Sequence, residues 1–187
     1  MTARLKRSTR PVSLLLGGTF ATLAALVMLT TIGWSQPAQA EMLPEVDLVR
    51  VIKNERRLFL LNGDRIVREY EISLGGDPEG HKFMSGDHRT PEGVYTLDTR
   101  NPNSNFYRSI RISYPNEQDV ARAEAEGLDP GGNIMIHGLP NSVETEEQRL
   151  NFEGQDWTEG CVAVNDNAAM DEIWKLVRDG TLIEILP

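Results

Sequence analysis

Cysteine is nearly absent from this chain of 187 residues: Cys161 stands alone, so no internal disulfide can form and no cysteine-rich zinc site is available. Aromatic residues are scarce at 6%, and a formal net charge of −9 leaves no basic surface of the kind nucleic-acid binders need. Nucleic acid is therefore not an expected partner. Internal repeats and low-complexity tracts are also missing, which excludes solenoids and compositionally disordered segments. What remains is 40% hydrophobic content, enough to bury the core of one ordinary domain.

Charge is unevenly spread. The first forty residues hold Arg4, Lys6, Arg7 and Arg10 and no acid, so the rest of the chain carries −13. An uncharged run from Val12 to Trp34 follows, then Ala38-Gln39-Ala40. A basic start, an apolar centre and small residues at −3 and −1 are the layout of a secretory signal peptide cut before Glu41. The run is longer than the usual apolar region of about 7–15 residues, so an uncleaved N-terminal anchor is the second reading of residues 1–40. No Arg-Arg pair precedes it, which argues against twin-arginine export. Either way the domain faces an exported space, and membrane contact is expected only through this segment.

Residues 41–45 read as a short tether, and 46–187 as the working domain. From Val46, apolar residues alternate with polar ones through Ile52, again over 57–61, and again over 65–74, with Asn62-Gly63 between the last two as a hairpin signal. Gly75 to Thr90 is a Gly-, Pro- and Asp-rich loop. Further strands are expected at 93–97, 109–114, 134–136, 161–164 and 181–186. Asn116 caps one helix that Gly127 closes, and Asn165 or Asp166 caps a second running to Arg178. Met170, Ile173, Trp174 and Val177 recur at helical spacing and read as one core-facing stripe. The expected fold is mainly β with two short helices, and the acidic stretch 140–156 is a long connection of the kind that more often serves function than not.

A free thiol in an oxidising space is a liability unless it has a use. Cys161 ends the run Asp156-Trp157-Thr158-Glu159-Gly160-Cys161, and Gly160 lets backbone approach a substrate carbonyl closely. Read alone, the cysteine is equally a nucleophile and a small buried hydrophobe. His137, at the end of the apolar Ile134-Met135-Ile136 strand, tilts that balance, because a thiol needs an adjacent base and imidazole is the usual one. His81 and His88 in the Gly-rich loop leave a second possibility open, a three-His metal site with His137. No helical His-Glu-x-x-His pattern supports it, and Lys82 and Arg89 add positive charge there.

Three motifs in order now resemble a known family. Gly86-Asp87-x-Arg89-Thr90-Pro91-Glu92-Gly93-x-Tyr95, then Ile-Met-Ile-His137-Gly138, then Thr158-x-Gly160-Cys161-Val-x-Val are similar to the catalytic domain of the L,D-transpeptidases, over about Val46 to Pro187. Tyr114-Pro115-Asn116 and Asp129-Pro130-Gly131-Gly132 resemble its murein-endopeptidase-like branch in Gram-negative bacteria. The resemblance implies a β-sandwich-like domain in the periplasm, with no cofactor and no metal. Cys161 would attack a peptidoglycan stem peptide at its third residue, forming a thioester that an amine resolves. His137 would move the proton, the Gly138 carbonyl would orient the imidazole, and amides near Gly160 and Cys161 would hold the oxyanion, with Thr158 supporting the turn.

The sequence departs from the commoner members at Glu159, where many have His, and at Ala163, where many have Arg. Both changes remove cationic groups, leaving Arg89 as the substitute for carboxylate recognition. The departures agree with the endopeptidase-like branch, so hydrolysis that releases a stem-linked lipoprotein is the second chemical reading. A third reading is an inactive wall-binding module.

Overall fold

The computed structural model describes residues 43–187. The expected export segment and the first residues of the tether lie outside the described residues. Leu43 to Glu45 are irregular, and Val46 is already buried in the core. Among the described residues, no helix is long and apolar enough to cross a membrane.

The alternating runs become β1 (Leu48–Ile52), β2 (Arg57–Asn62) and β3 (Arg65–Ser73), an antiparallel meander whose inward residues include Val49, Val51, Leu58 and Leu60. In the β2–β3 turn only Gly63 takes a positive φ, of 55°, while Asn62 stays in the strand opposite Arg65. A long hairpin follows from β4 (Gly93–Ser104) and β5 (Tyr107–Ile112), both reaching beyond or starting before the expected bounds. Two three-residue strands, β6 (Met135–His137) and β7 (Val162–Val164), pair in parallel, and β8 (Thr181–Leu186) runs parallel to β1.

Strand order is β1-β2-β3-β7-β6-β5-β4-β8, closing on itself as a barrel. This corrects the expected sandwich-like arrangement. Period-two alternation is the same in both architectures. Closure rests on the β3–β7 and β1–β8 pairings, which join strands about ninety and one hundred and thirty residues apart.

Three helices are present among the described residues rather than two. The first, α1 (Glu117–Ala125), has the expected Asn116 cap, completed by Asp119 as a capping box. The extra one, α2 (Glu146–Leu150), lies inside the stretch read as a connection, and it too has a capping box, between Thr145 and Gln148. The last, α3 (Asn167–Leu176), starts after Asp166 and ends two residues before Arg178. Its stripe buries Met170, Ile173, Leu176 and Val177, whereas Trp174 is only partly covered and carries the guanidinium of Arg100 over its ring at 4.8 Å.

Candidate active site

Ile134, Ile136, Val162 and Val164 belong to the core. Side chains alternate along strands, so Met135, His137 and Ala163 face the other side, and Cys161 falls in step with them one residue before β7. The parallel register puts His137 opposite Ala163. Cys161 and His137 therefore stand two positions apart on neighbouring strands, and both line one cleft of about 680 Å³.

The imidazole is buried, with Nδ1 2.7 Å from the Gly138 carbonyl oxygen. A carbonyl can only accept, so Nδ1 carries the proton and Nε2 presents its lone pair. Gly138 allows this turn because a Cβ there would lie 2.6 Å from Asn167 Oδ1, which accepts the Leu139 N–H at 3.1 Å. Phe106, from the β4–β5 hairpin tip, stacks on the imidazole at 4.6 Å, and Trp157 meets it edge-on at 5.5 Å. Burial holds the His137 pKa below the usual histidine range, with the Gly138 bond partly opposing.

Burial also pushes the Cys161 thiol up, against contributions from the Met135 backbone and the Lys82 charge that pull it down. At neutral pH the two groups are thus a thiol and a neutral imidazole rather than an ion pair. The thiol donates toward the Asn133 carbonyl at 3.6 Å, and Asn133 itself sits at φ 57°.

Thr158 fixes the turn that carries the cysteine. Its hydroxyl donates to the Cys161 carbonyl at 2.8 Å and accepts the Gly160 N–H at 3.1 Å. The Thr158 backbone bridges to Leu74 and Gly76, so the turn continues the end of β3. Of the two amides expected for an oxyanion, that of Gly160 is therefore engaged. Gly160 takes φ 126°, and a Cβ on it would lie 2.5 Å from the Arg89 carbonyl oxygen. At the head of the turn Asp156 accepts two N–H groups of Arg56 and the Leu74 N–H at 2.9 Å.

The Gly75–Glu92 loop lines the cleft with Lys82, Ser85 and Gly86. The buried Lys53 ammonium ties it down, bonding Gly80 O at 2.5 Å, Thr90 O at 3.1 Å and Glu92 Oε1 at 2.7 Å. Arg89, expected in the cleft, is placed elsewhere: its guanidinium pairs with Asp77 at 3.0 Å and does not line the cavity. The three histidines do not converge. His81 lies against Glu92 and Asp119, His88 is exposed, and among the described residues no set of three His, Cys, Asp or Glu side chains is arranged to hold a metal ion. Sequence reasoning passed over Lys82 as a cleft residue and did not find Phe106 or the aromatic role of Trp157; an aromatic between Asn105 and Tyr107 at the middle of a hairpin was the one available signal.

Comparison with known proteins shows the family of the chain. The family model for the L,D-transpeptidase catalytic domain matches residues 46–185. A protein of Escherichia coli (strain K12) named "Putative L,D-transpeptidase YafK" is 29% identical over 141 residues, covering 72% of this chain and 48% of its own. Among solved structures, the helical cell shape determining protein Pgp2 from Campylobacter jejuni superposes with a TM-score of 0.55 at 26% identity, over 75% of this chain and 47% of that one. Bd1075 from Bdellovibrio bacteriovorus does so with a TM-score of 0.51 at 27% identity, over 79% and 50%. The chain spans about half the length of these relatives.

Proposed function

The chain belongs to the L,D-transpeptidase catalytic-domain family, and on that premise we propose that it is a periplasmic cysteine acyltransferase acting on peptidoglycan stem peptides through Cys161. The observation that carries this reading is the cleft itself: a half-buried thiol from the residue before β7 and an imidazole from the adjacent β6, its Nδ1–H held by Gly138 O, line it together.

The steps follow from the protonation states. As the thiol approaches the carbonyl of the third stem residue, His137 Nε2 takes its proton, and the sulfur bonds to the carbonyl carbon. The oxyanion forms against the Cys161 N–H. On collapse the bond to the terminal D-residue breaks, and the imidazolium returns the proton to the leaving amine. A thioester remains. An acceptor amine then attacks it, gives a proton to His137, and leaves an amide and the restored thiol. If water attacks instead, the product is an acid and the outcome is hydrolysis.

Pgp2 is by its name a determinant of helical cell shape, and remodelling of stem-peptide cross-links is the class of chemistry that would alter wall shape. Intact-protein mass spectrometry with muropeptides tests the proposal. We expect Cys161 to gain the mass of an acylated stem, and both Cys161→Ser and His137→Ala to lose adduct formation by at least about a thousandfold. Wild-type protein that gains no adduct would refute it. Adding an acceptor amine distinguishes transfer from hydrolysis in the same incubation.

A further inference from the structure

Resting on the acyltransferase reading, we propose that Lys82 is the specificity-determining residue that binds a carboxylate of the donor peptide beside Cys161. Among the described residues lining the cleft, Lys82 and Glu159 are the two with fixed charge, and Lys82 is the cation. Arg89 is spent on Asp77, and Ala163 stands beside His137 in the register with no charge to offer.

Lys82 is built into place rather than left on a flexible stem. Its side chain is 3% exposed, yet Lys82 lines the cleft. Of the three ammonium donors, one goes to Asp87 Oδ1 at 2.7 Å and one to Met84 O at 3.2 Å, which leaves the third without an acceptor among the described residues. Asp87 in turn accepts the N–H groups of Phe83 at 2.7 Å, Met84 at 3.0 Å and Arg89 at 3.0 Å. Burial works to raise the Asp87 pKa, but the Lys82 and backbone bonds outweigh it and hold it at about 2. The carboxylate is thus ionised and saturated with donors, a scaffold that sets the ammonium without consuming its last N–H. Lys82 and Cys161 line the same cleft, and the Lys82 charge favours the thiolate. A carboxylate meeting this desolvated ammonium gains a charge-assisted bond that a neutral amide cannot match.

Two carboxylates flank the scissile bond of such a donor, the α-carboxylate of the terminal D-residue and the side-chain carboxylate of the third residue. The test uses the full chain and three synthetic tetrapeptide donors: the free acid, the terminal amide and the third-residue side-chain amide. Release of the terminal residue is followed for KM and kcat. We expect one of the two amides to raise the wild-type KM about ten- to a hundredfold, which also identifies the carboxylate that is bound. Lys82→Met should bring the free acid to that same KM with no remaining discrimination between donors, and Lys82→Arg should recover most of the preference.

Equal wild-type KM values for all three donors would overturn the inference without any variant, even if Lys82→Met failed to fold. A Lys82→Met effect of equal size on all donors would overturn it too, since that is what a purely structural staple predicts. Failure of wild type to release a residue from any donor would instead sink the acyltransferase reading on which the inference rests.

Discussion

The β6–β7 side of the cleft and the Gly75–Glu92 loop are held by different forces. On the strand side, position comes from backbone: the parallel register of His137 against Ala163, the Thr158 bridge to Leu74 and Gly76, and the Nδ1–H bond to the next carbonyl. On the loop side, position comes from buried charge, with Lys53 gathering Gly80, Thr90 and Glu92, and Asp87 gathering Lys82 and three amides. The two sides meet backbone against backbone at Gly160, where a Cβ would lie 2.5 Å from Arg89 O. The contrast teaches that the Cys161–His137 pair needs little more than correct strand pairing, whereas the cleft-lining loop needs its ions.

The largest expected effect breaks the seam. Gly160→Ala puts a methyl group into the Arg89 carbonyl and a side chain at φ 126°, and should cost about 3 kcal/mol, read as a fall in Tm of about 10 °C. Adduct formation on Cys161 should fall with it. A variant that kept both the melting temperature and the adduct would show that the close approach is not a constraint.

A smaller change separates the two sides. Lys53→Met removes the cation that three loop acceptors share and should destabilise by about 2 kcal/mol. Hydrogen exchange should speed up over residues 78–92 while amides of β6 and β7 keep their protection. Uniform acceleration across both regions would mean that the loop and the strands open as one unit, held by the same forces.

The smallest effect is one of pH. His137 must be neutral to accept the thiol proton, and burial lowers its pKa, so activity should persist below the ordinary histidine range and disappear as pH falls through that lowered value. The folded state also disfavours the protonated imidazole. Its contribution to stability is complete above the unfolded histidine pKa of about 6.5 and is lost as pH falls through the folded value. Asp87 behaves differently: its pKa of about 2 makes its contribution complete above about 3.9 and lost only as pH falls through about 2. A pH profile of acylation, set against circular dichroism, should therefore show activity lost while the loop's ionic clasp remains. Coincident loss of activity and fold would contradict this separation.

Much of the fold could be read from local pattern. Alternation placed β1 to β3, Asn116 placed α1, and the stripe through Met170, Ile173 and Val177 placed α3, because each depends on neighbours within a few residues. The same local rule applied to Thr145 and Gln148 would have located α2. Cys161 and His137 stood out for similar reasons, as a lone thiol after a glycine and a histidine ending an apolar strand. Lys82 and Arg89 show where that reading stopped. Both are loop cations seven residues apart, and nothing local says which carboxylate, Asp87 or Asp77, each will meet.

Sequence by itself thus determined the strand alternation, the caps of α1 and α3 and which thiol and imidazole are the candidates, because these follow from backbone geometry and side-chain chemistry over short spans. Tertiary structure alone decided that the sheet closes into a barrel, that Lys82 rather than Arg89 reaches the cleft, and that Phe106 and Trp157 enclose the imidazole. Those outcomes depend on pairings between residues tens of positions apart. Many such pairings satisfy the same alternation and charge pattern, and only the packed chain, with its backbone groups bonded and its charges matched, selects one.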